Sequence, residues 1–172
     1  IPESAPLYTD PGVNKFLYLV VASEQAVTRA CNEGYYSATI LRYPYWVFGP
    51  RCLLPMEWCI IKRILDGRKQ IIVPDDGLVL QTRGYAENLA HAVLLAADTP
   101  EVGVRLYNVG DDRVFTLREW IEKISNAMGH TWELVGIPWA IAKPAYPYAV
   151  WDHHAVFDIT RIKTELGYGD IV

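Results

Sequence analysis

The sequence predicts an α/β chain that forms the end of a doubly wound fold rather than its start. Three observations carry this. Strand-like and helix-like segments alternate along the 172 residues. The first regular element is a helix, where a doubly wound domain ordinarily opens with a strand and a ligand-gripping turn. No internal repeat or low-complexity tract interrupts the alternation.

Residues 1–13 are rich in Pro, Gly and small polar residues and read as an arm. Residues 14–32 contain neither Gly nor Pro and predict one long helix, stopped by Gly34. Its first half is apolar nearly all round, which calls for burial against a second subunit or a partner domain. Ser37 to Val47 predicts a buried strand that breaks at Pro44, because Pro cannot donate to a ladder. Phe48-Gly49-Pro50 follows as a turn.

Pro55 suits a helix start and Asp66-Gly67 a helix stop. Lys69–Val73 and Leu78–Thr82 read as short strands about the turn Pro74-Asp75-Asp76-Gly77, with a hairpin as the expected pairing. Tyr85–Ala97 predicts a helix with Leu89, Ala92 and Val93 in its apolar stripe, then a strand runs over 104–109 to Gly110. Thr116 and Glu119 have capping-box spacing for a helix to Met128, closed by Gly129. Thr131–Val135 reads as a strand, and Pro138–Val150 is aromatic and Pro-rich with no period, suited to a rigid loop or lid. Asp158 caps a last helix ending at Leu166-Gly167.

Bulk properties exclude several function classes. The net charge of −4, with no basic cluster beyond Lys62, Arg63, Arg68 and Lys69 at a helix end, gives no footprint for nucleic acid or an anionic membrane. The longest apolar run, 16–22, is far below the roughly 20 residues of a membrane span. Three cysteines without CxxC or HExxH spacing argue against a disulfide framework and a structural zinc, and place the chain in the cytoplasm. The first residue is Ile1 rather than Met, which reads as processing or as a fragment.

Four segments in order resemble one family, the NAD-dependent epimerases/dehydratases, or extended short-chain dehydrogenases. They are Ile40-Leu41-Arg42-Tyr43-Pro44-Tyr45-Trp46-Val47-Phe48-Gly49-Pro50-Arg51, Gly84 to Ala90, Tyr107-Asn108-Val109-Gly110, and Asp158 to Lys163 with Leu166-Gly167-Tyr168. The resemblance covers residues 22–168. It implies the C-terminal part of such an enzyme, with residues 1–50 a remnant of the dinucleotide-binding domain and 51–172 a substrate-binding domain whose strand 104–109 joins the Rossmann sheet. NAD or NADP would be bound mainly by residues outside this chain, in a missing N-terminal Rossmann portion. A small-molecule substrate would lie in the cleft, and the helix 14–32 would support a homodimer.

The resemblance also marks what is absent. The family's catalytic Tyr and Lys precede a helical Glu by eight and four residues; counted from Glu24 these positions hold Phe16 and Val20. A degenerate non-catalytic member, a shifted frame bringing in Tyr18 or Lys15, and a different choice of Glu all stay open. By resemblance, Tyr43, Pro44 and Tyr45 flank the cofactor and Trp46 faces the substrate, where many members have Asn. That substitution favours a more apolar ligand. The resemblance makes Arg83 a substrate-phosphate ligand, a role its bidentate fork suits, while by residue type alone it reads as a surface Arg at a strand end. His153 and His154 stand where relatives clamp a diphosphate, and Asp152 beside them opposes an anion. Trp139, Tyr146, Tyr148 and Trp151 read as core or as pocket wall. His91 and His130, in helical contexts, read as surface or satisfied histidines.

Overall fold

The computed structural model describes residues 1–7, 10, 12, 14–52, 55–100, 103–142 and 152–172. Helix α1 spans Lys15–Asn32, and the Asn14 side chain caps it by accepting from the Leu17 N–H. Its first half stays open: Phe16 is 66% exposed, Leu19 51% and Val20 50%.

Strands β1 (Ala38–Arg42) and β2 (Trp46–Phe48) are the two parts of the segment that Pro44 breaks, and they belong to different sheets. β1 is half-buried throughout rather than buried. Helix α2 (Trp58–Leu65) starts three residues after Pro55, whose carbonyl accepts from Trp58 N–H. Strand β3 (Gln70–Pro74), a 3-10 turn at Asp75–Gly77 and strand β4 (Leu80–Gln81) follow. The expected β3–β4 hairpin does not form. β3 pairs in parallel with a strand more than 60 residues away, and β4 pairs antiparallel with another partner. The 3-10 turn therefore redirects the chain between sheets instead of folding it back.

Strand β5 (Arg83–Tyr85), absent from the sequence expectation, pairs in parallel with β2 and places Arg83 beside Trp46. Helix α3 (Ala86–Asp98) buries Leu89, Ala92 and Ala96, whereas Val93 is 46% exposed and lies outside the stripe. Strand β6 (Val104–Asn108) pairs in parallel with β1, Ala38 against Val104 through Arg42 against Asn108. β7 (Phe115–Thr116) partners β4, and α4 (Leu117–Ala127) begins with the predicted capping box, Thr116 and Glu119 bonding reciprocally. Strand β8 (Glu133–Ile137) completes the parallel pair with β3. His130 lies between α4 and β8, outside a helix, with its ring edge-on to Trp132 at 4.4 Å.

Helix α5 (Trp139–Ala142) occupies the start of the aromatic segment; Pro144, Tyr146, Pro147, Tyr148 and Trp151 lie outside the described residues. Helix α6 (Thr160–Leu166) ends on a left-handed Gly167, and Asp158 accepts from Thr160 N–H at its entry.

The apolar faces meet in two cores. One joins Leu89, Ala92 and Ala96 of α3 with Tyr107 and Val109 and with Ile162 and Leu166 of α6. The other joins Trp46, Met56, α2, β3 and α4. Trp46 belongs to this second core, while Val47, next to it on β2, packs against the first.

Candidate functional site: a buried arginine at an aromatic cavity

Arg83 is 1% exposed. Its guanidinium carbon lies 4.8 Å from the ring centroid of Trp46 and 4.8 Å from that of Trp120. β5 brings it against Trp46 by the β2 register, and the buried face of α4 supplies Trp120. Nη1 donates to the carbonyls of Gln81 (3.2 Å) and Phe115 (2.9 Å). Nε and Nη2 are buried and have no partner among the described residues, and the same holds for Trp120 Nε1. Burial pulls the Arg83 pKa down to about 10, partly offset by the nearby carboxylates of Glu57 and Glu119.

Arg83 and Trp120 line a cavity of about 400 Å³. Phe48, Tyr85 and Phe115 form its aromatic wall, with Phe48 edge-on to Trp120 at 4.8 Å. Asp111 and Asp170 lie on its acidic side, and Arg113 adds a second cation. Asp111 is itself structural: both its oxygens accept from Tyr85 N–H at 3.0 Å, and Oδ1 accepts from Asn88 Nδ2 at 3.0 Å. Asn88 in turn accepts from Ile171 N–H, which ties the C-terminal residues to the cavity rim. Burial, with Asp111 and Asp112 nearby, raises the Asp170 pKa.

The structure distributes the other sequence candidates unevenly. Trp46 is 2% exposed, its indole N–H donates to Glu57 Oε1 at 2.5 Å, and one face lies under Arg83. It bears on the cavity through Arg83. Pro44 is buried, while Tyr43 and Tyr45 are about 40% exposed (40% and 41%) beyond the end of β1. Partial burial raises the Tyr43 pKa. Phe16 and Val20 lie on the open half of α1. Glu24, the reference for their positions, forms a two-pronged ion pair with Arg42 at 2.5 and 2.8 Å, which pins α1 to the end of β1.

His153 and His154 are exposed and do not line the cavity. His153 Nδ1 meets Asp152 Oδ1 at 2.8 Å, and His154 Nδ1 accepts from Leu80 N–H, holding the edge of β4. Trp139 packs on the second core. A further cavity of about 420 Å³ lies between α1, β6 and α6, but its Glu24 and Arg161 are already committed to Arg42 and Glu165. Trp120, Asp111 and Arg42 were missed in the sequence. Trp120 looks like any core aromatic of an amphipathic helix, and only the Asp-Asp pair after Gly110 hinted at a polar turn.

The model of the NAD dependent epimerase/dehydratase family matches residues 4–110. The chain belongs to this family. Its fold is that of the extended short-chain dehydrogenases, as solved structures show. UDP-glucose 4-epimerase from Thermotoga maritima, solved with UDP-glucose, superposes with a TM-score of 0.73 at 22% identity over 100% of this chain and 52% of its own. A dTDP-glucose 4,6-dehydratase from Streptomyces venezuelae with NAD bound gives 0.70 at 19% identity, covering 100% and 50%. UDP-glucuronic acid 4-epimerase from Bacillus cereus in complex with NAD gives 0.73 at 18%, covering 100% and 51%. The chain thus spans about half the length of these relatives. No curated protein sequence matches it. Among the described residues no helix is long and apolar enough to cross a membrane, and no group of three or more His, Cys, Asp or Glu could hold a metal ion.

Proposed function

We propose that this chain is the substrate-side, C-terminal part of an NAD(P)-dependent epimerase/dehydratase-type oxidoreductase, acting on a sugar-nucleotide-like or other hydroxyl- or carbonyl-bearing substrate. The observation that carries the reading is Arg83, buried with two nitrogens unpartnered among the described residues and lining an aromatic cavity, within a chain of this family. Arg83 is the anchor for an anionic group of the substrate. In the same reading residues 1–50 complete the dinucleotide-binding domain and 51–172 bind substrate, with strand 104–109 returning to the first sheet.

The cofactor's fit to this chain is partial. Tyr43, Pro44 and Tyr45, beyond the carboxyl end of parallel strand β1, stand where a ligand binds an open α/β sheet. No Gly-rich phosphate turn occurs among the 172 residues, so the pyrophosphate would rest on a separate segment. The two-stranded β1–β6 sheet supports that division, because parallel sheets are ordinarily larger and covered on both faces. The exposed apolar face of α1 supports a homodimer through helix 14–32. The three free thiols support a reducing, cytoplasmic setting.

Calorimetric titration of the intact protein with NAD and with NADP is expected to show saturable binding of one of them. Binding of neither ends the proposal.

A second reading has its own observation. Phe16 and Val20, 66% and 50% exposed on α1, carry no group able to move a proton. On this reading the protein is a non-catalytic member that binds a dinucleotide or metabolite. The double variant Phe16→Tyr, Val20→Lys separates the two: hydride transfer appearing only in the variant supports it, and turnover by the natural protein removes it.

A further inference from the structure

The carboxyl end of β1 carries an arginine that several elements hold at once. The Arg42 carbonyl accepts from Val109 N–H at 2.9 Å, the last ladder bond between β1 and β6. Beyond it the chain crosses to the β2–β5 sheet through Tyr43, Pro44 and Tyr45. A side chain held by a glutamate stands at each end of this crossing. At the far end Trp46 Nε1 donates to Glu57 Oε1. At the near end Arg42 Nε and Nη2 donate to the two oxygens of Glu24 on α1, at 2.8 and 2.5 Å, and Nη1 donates to the Glu3 carbonyl at 2.8 Å. Glu3 also reaches the neighbouring strand: its Oε1 accepts from Asn108 N–H at 3.0 Å, and Asn108 is the register partner of Arg42. The N-terminal arm, α1, β1 and β6 therefore meet at one guanidinium.

This junction fixes geometry. The side chains of Arg42 and Glu24 are largely enclosed, 21% and 14% exposed, and a two-pronged Arg–carboxylate bond restrains orientation as well as distance. The crossing has little slack to absorb a shift, because Pro44 locks its own φ and restricts Tyr43 before it. Tyr43 and Tyr45 are half-exposed on either side of buried Pro44. They present two open rings beyond the carboxyl end of a parallel strand, where ligands bind an open α/β sheet. A tilt at Arg42 is passed on to both rings.

We infer that Arg42 is a positioning residue: held by Glu24 and by the Glu3 carbonyl, it sets where Tyr43 and Tyr45 stand, and through them the affinity for the dinucleotide. The inference rests on the reading of Tyr43, Pro44 and Tyr45 as the segment that flanks the cofactor.

The test compares Arg42→Lys with the unsubstituted chain in the intact protein, by calorimetric titration with NAD and NADP and by hydrogen exchange followed by mass spectrometry. Arg42→Lys keeps the charge and loses the fork. Amides of residues 43–46 should exchange at least about threefold faster, with those of α4 unchanged. The dinucleotide that the unsubstituted protein binds should bind about tenfold more weakly. Arg161→Lys is the control for general loosening. It disturbs the Arg161–Glu165 pair and the bond to the Leu106 carbonyl on the neighbouring strand, and should leave the affinity within about twofold. Should Arg42→Lys fail to fold, Glu24→Gln keeps an acceptor, removes the charge and should weaken binding severalfold. Unchanged exchange over 43–46, an unchanged affinity in Arg42→Lys, or an equal loss in Arg161→Lys overturns the inference. Binding of neither dinucleotide by the unsubstituted protein removes the functional reading and the inference with it, whereas binding that Arg42→Lys leaves intact removes only the positioning role.

Discussion

Asp111 is the residue through which the cavity rim and helix α3 are held together, and its loss has a size that follows from its bonds. Tyr85, at the N-cap of α3, offers no capping side chain. Asp111 fills that role from 26 residues away, with both oxygens 3.0 Å from Tyr85 N–H and Oδ1 3.0 Å from Asn88 Nδ2. Asp111→Ala therefore leaves a helix N-terminus uncapped and strands the amide of Asn88, which is 2% exposed. Hydrogen bonds to a charged group are worth about 1.5–3 kcal/mol each. Because one carboxylate serves both donors and water reaches the rim, the expected loss is about 3 kcal/mol rather than the full sum. At about 2–4 °C per kcal/mol for a chain of this size, Tm should fall by about 6–12 °C. The assay is urea unfolding with calorimetry, with Asp112→Ala as control. The Asp112 carboxylate makes a surface ion pair with Lys163 at 2.8 Å, so its loss should be below about 1 kcal/mol. An Asp111→Ala stability equal to that control refutes the capping argument.

Three further outcomes are expected. Gly49 has φ of 114°, and a Cβ there would lie 2.6 Å from the Tyr85 ring, so Gly49→Ala should cost about 1–3 kcal/mol in denaturant unfolding. Burial pushes the Cys59 thiol up to about 11 and its Sγ donates to Met56 O, so timed iodoacetamide labelling with peptide mapping should modify Cys52 well before Cys59. The Asp170 pKa is raised, so the folded chain holds that proton longer than the unfolded one, and ionisation costs stability as pH rises from the unfolded value through the folded one. Relative to the natural chain, Asp170→Asn should therefore gain stability as pH goes from acid to neutral in parallel urea titrations, and a flat difference counts against the shift.

The elements that were legible in the sequence are those whose signal is local. The boundaries of α1 follow from an uninterrupted run closed by Gly34, and α4 from two side chains three apart. β5 and β7, with three and two residues, are too short to show a period, and exist only because β2 and β4 offer them partners. The β3–β4 hairpin was expected because the turn residues are right. The pairing was instead decided by β8, which no local pattern announces. The site divides along the same line. Arg83 is visible as an arginine before a helix, but its enclosure by Trp46 and Trp120 depends on register and helix packing. Trp46 is visible as an aromatic at a strand end, and its place under Arg83 depends on the β2–β5 register.

The enclosure of Arg83 is poorly explained as a stabilising device. Burial, partly offset by Glu57 and Glu119, pulls its pKa from 12.5 down to about 10, so the folded state disfavours the charge it carries. An apolar side chain of similar volume between two indoles would avoid that penalty, and buried charges are often stabilising to replace in this way. The stacking with Trp46 and Trp120 and the two carbonyl bonds fix the orientation of the guanidinium without satisfying its buried Nε and Nη2. On the proposed function, that oriented and desolvated guanidinium is preorganised for the anionic group of the substrate.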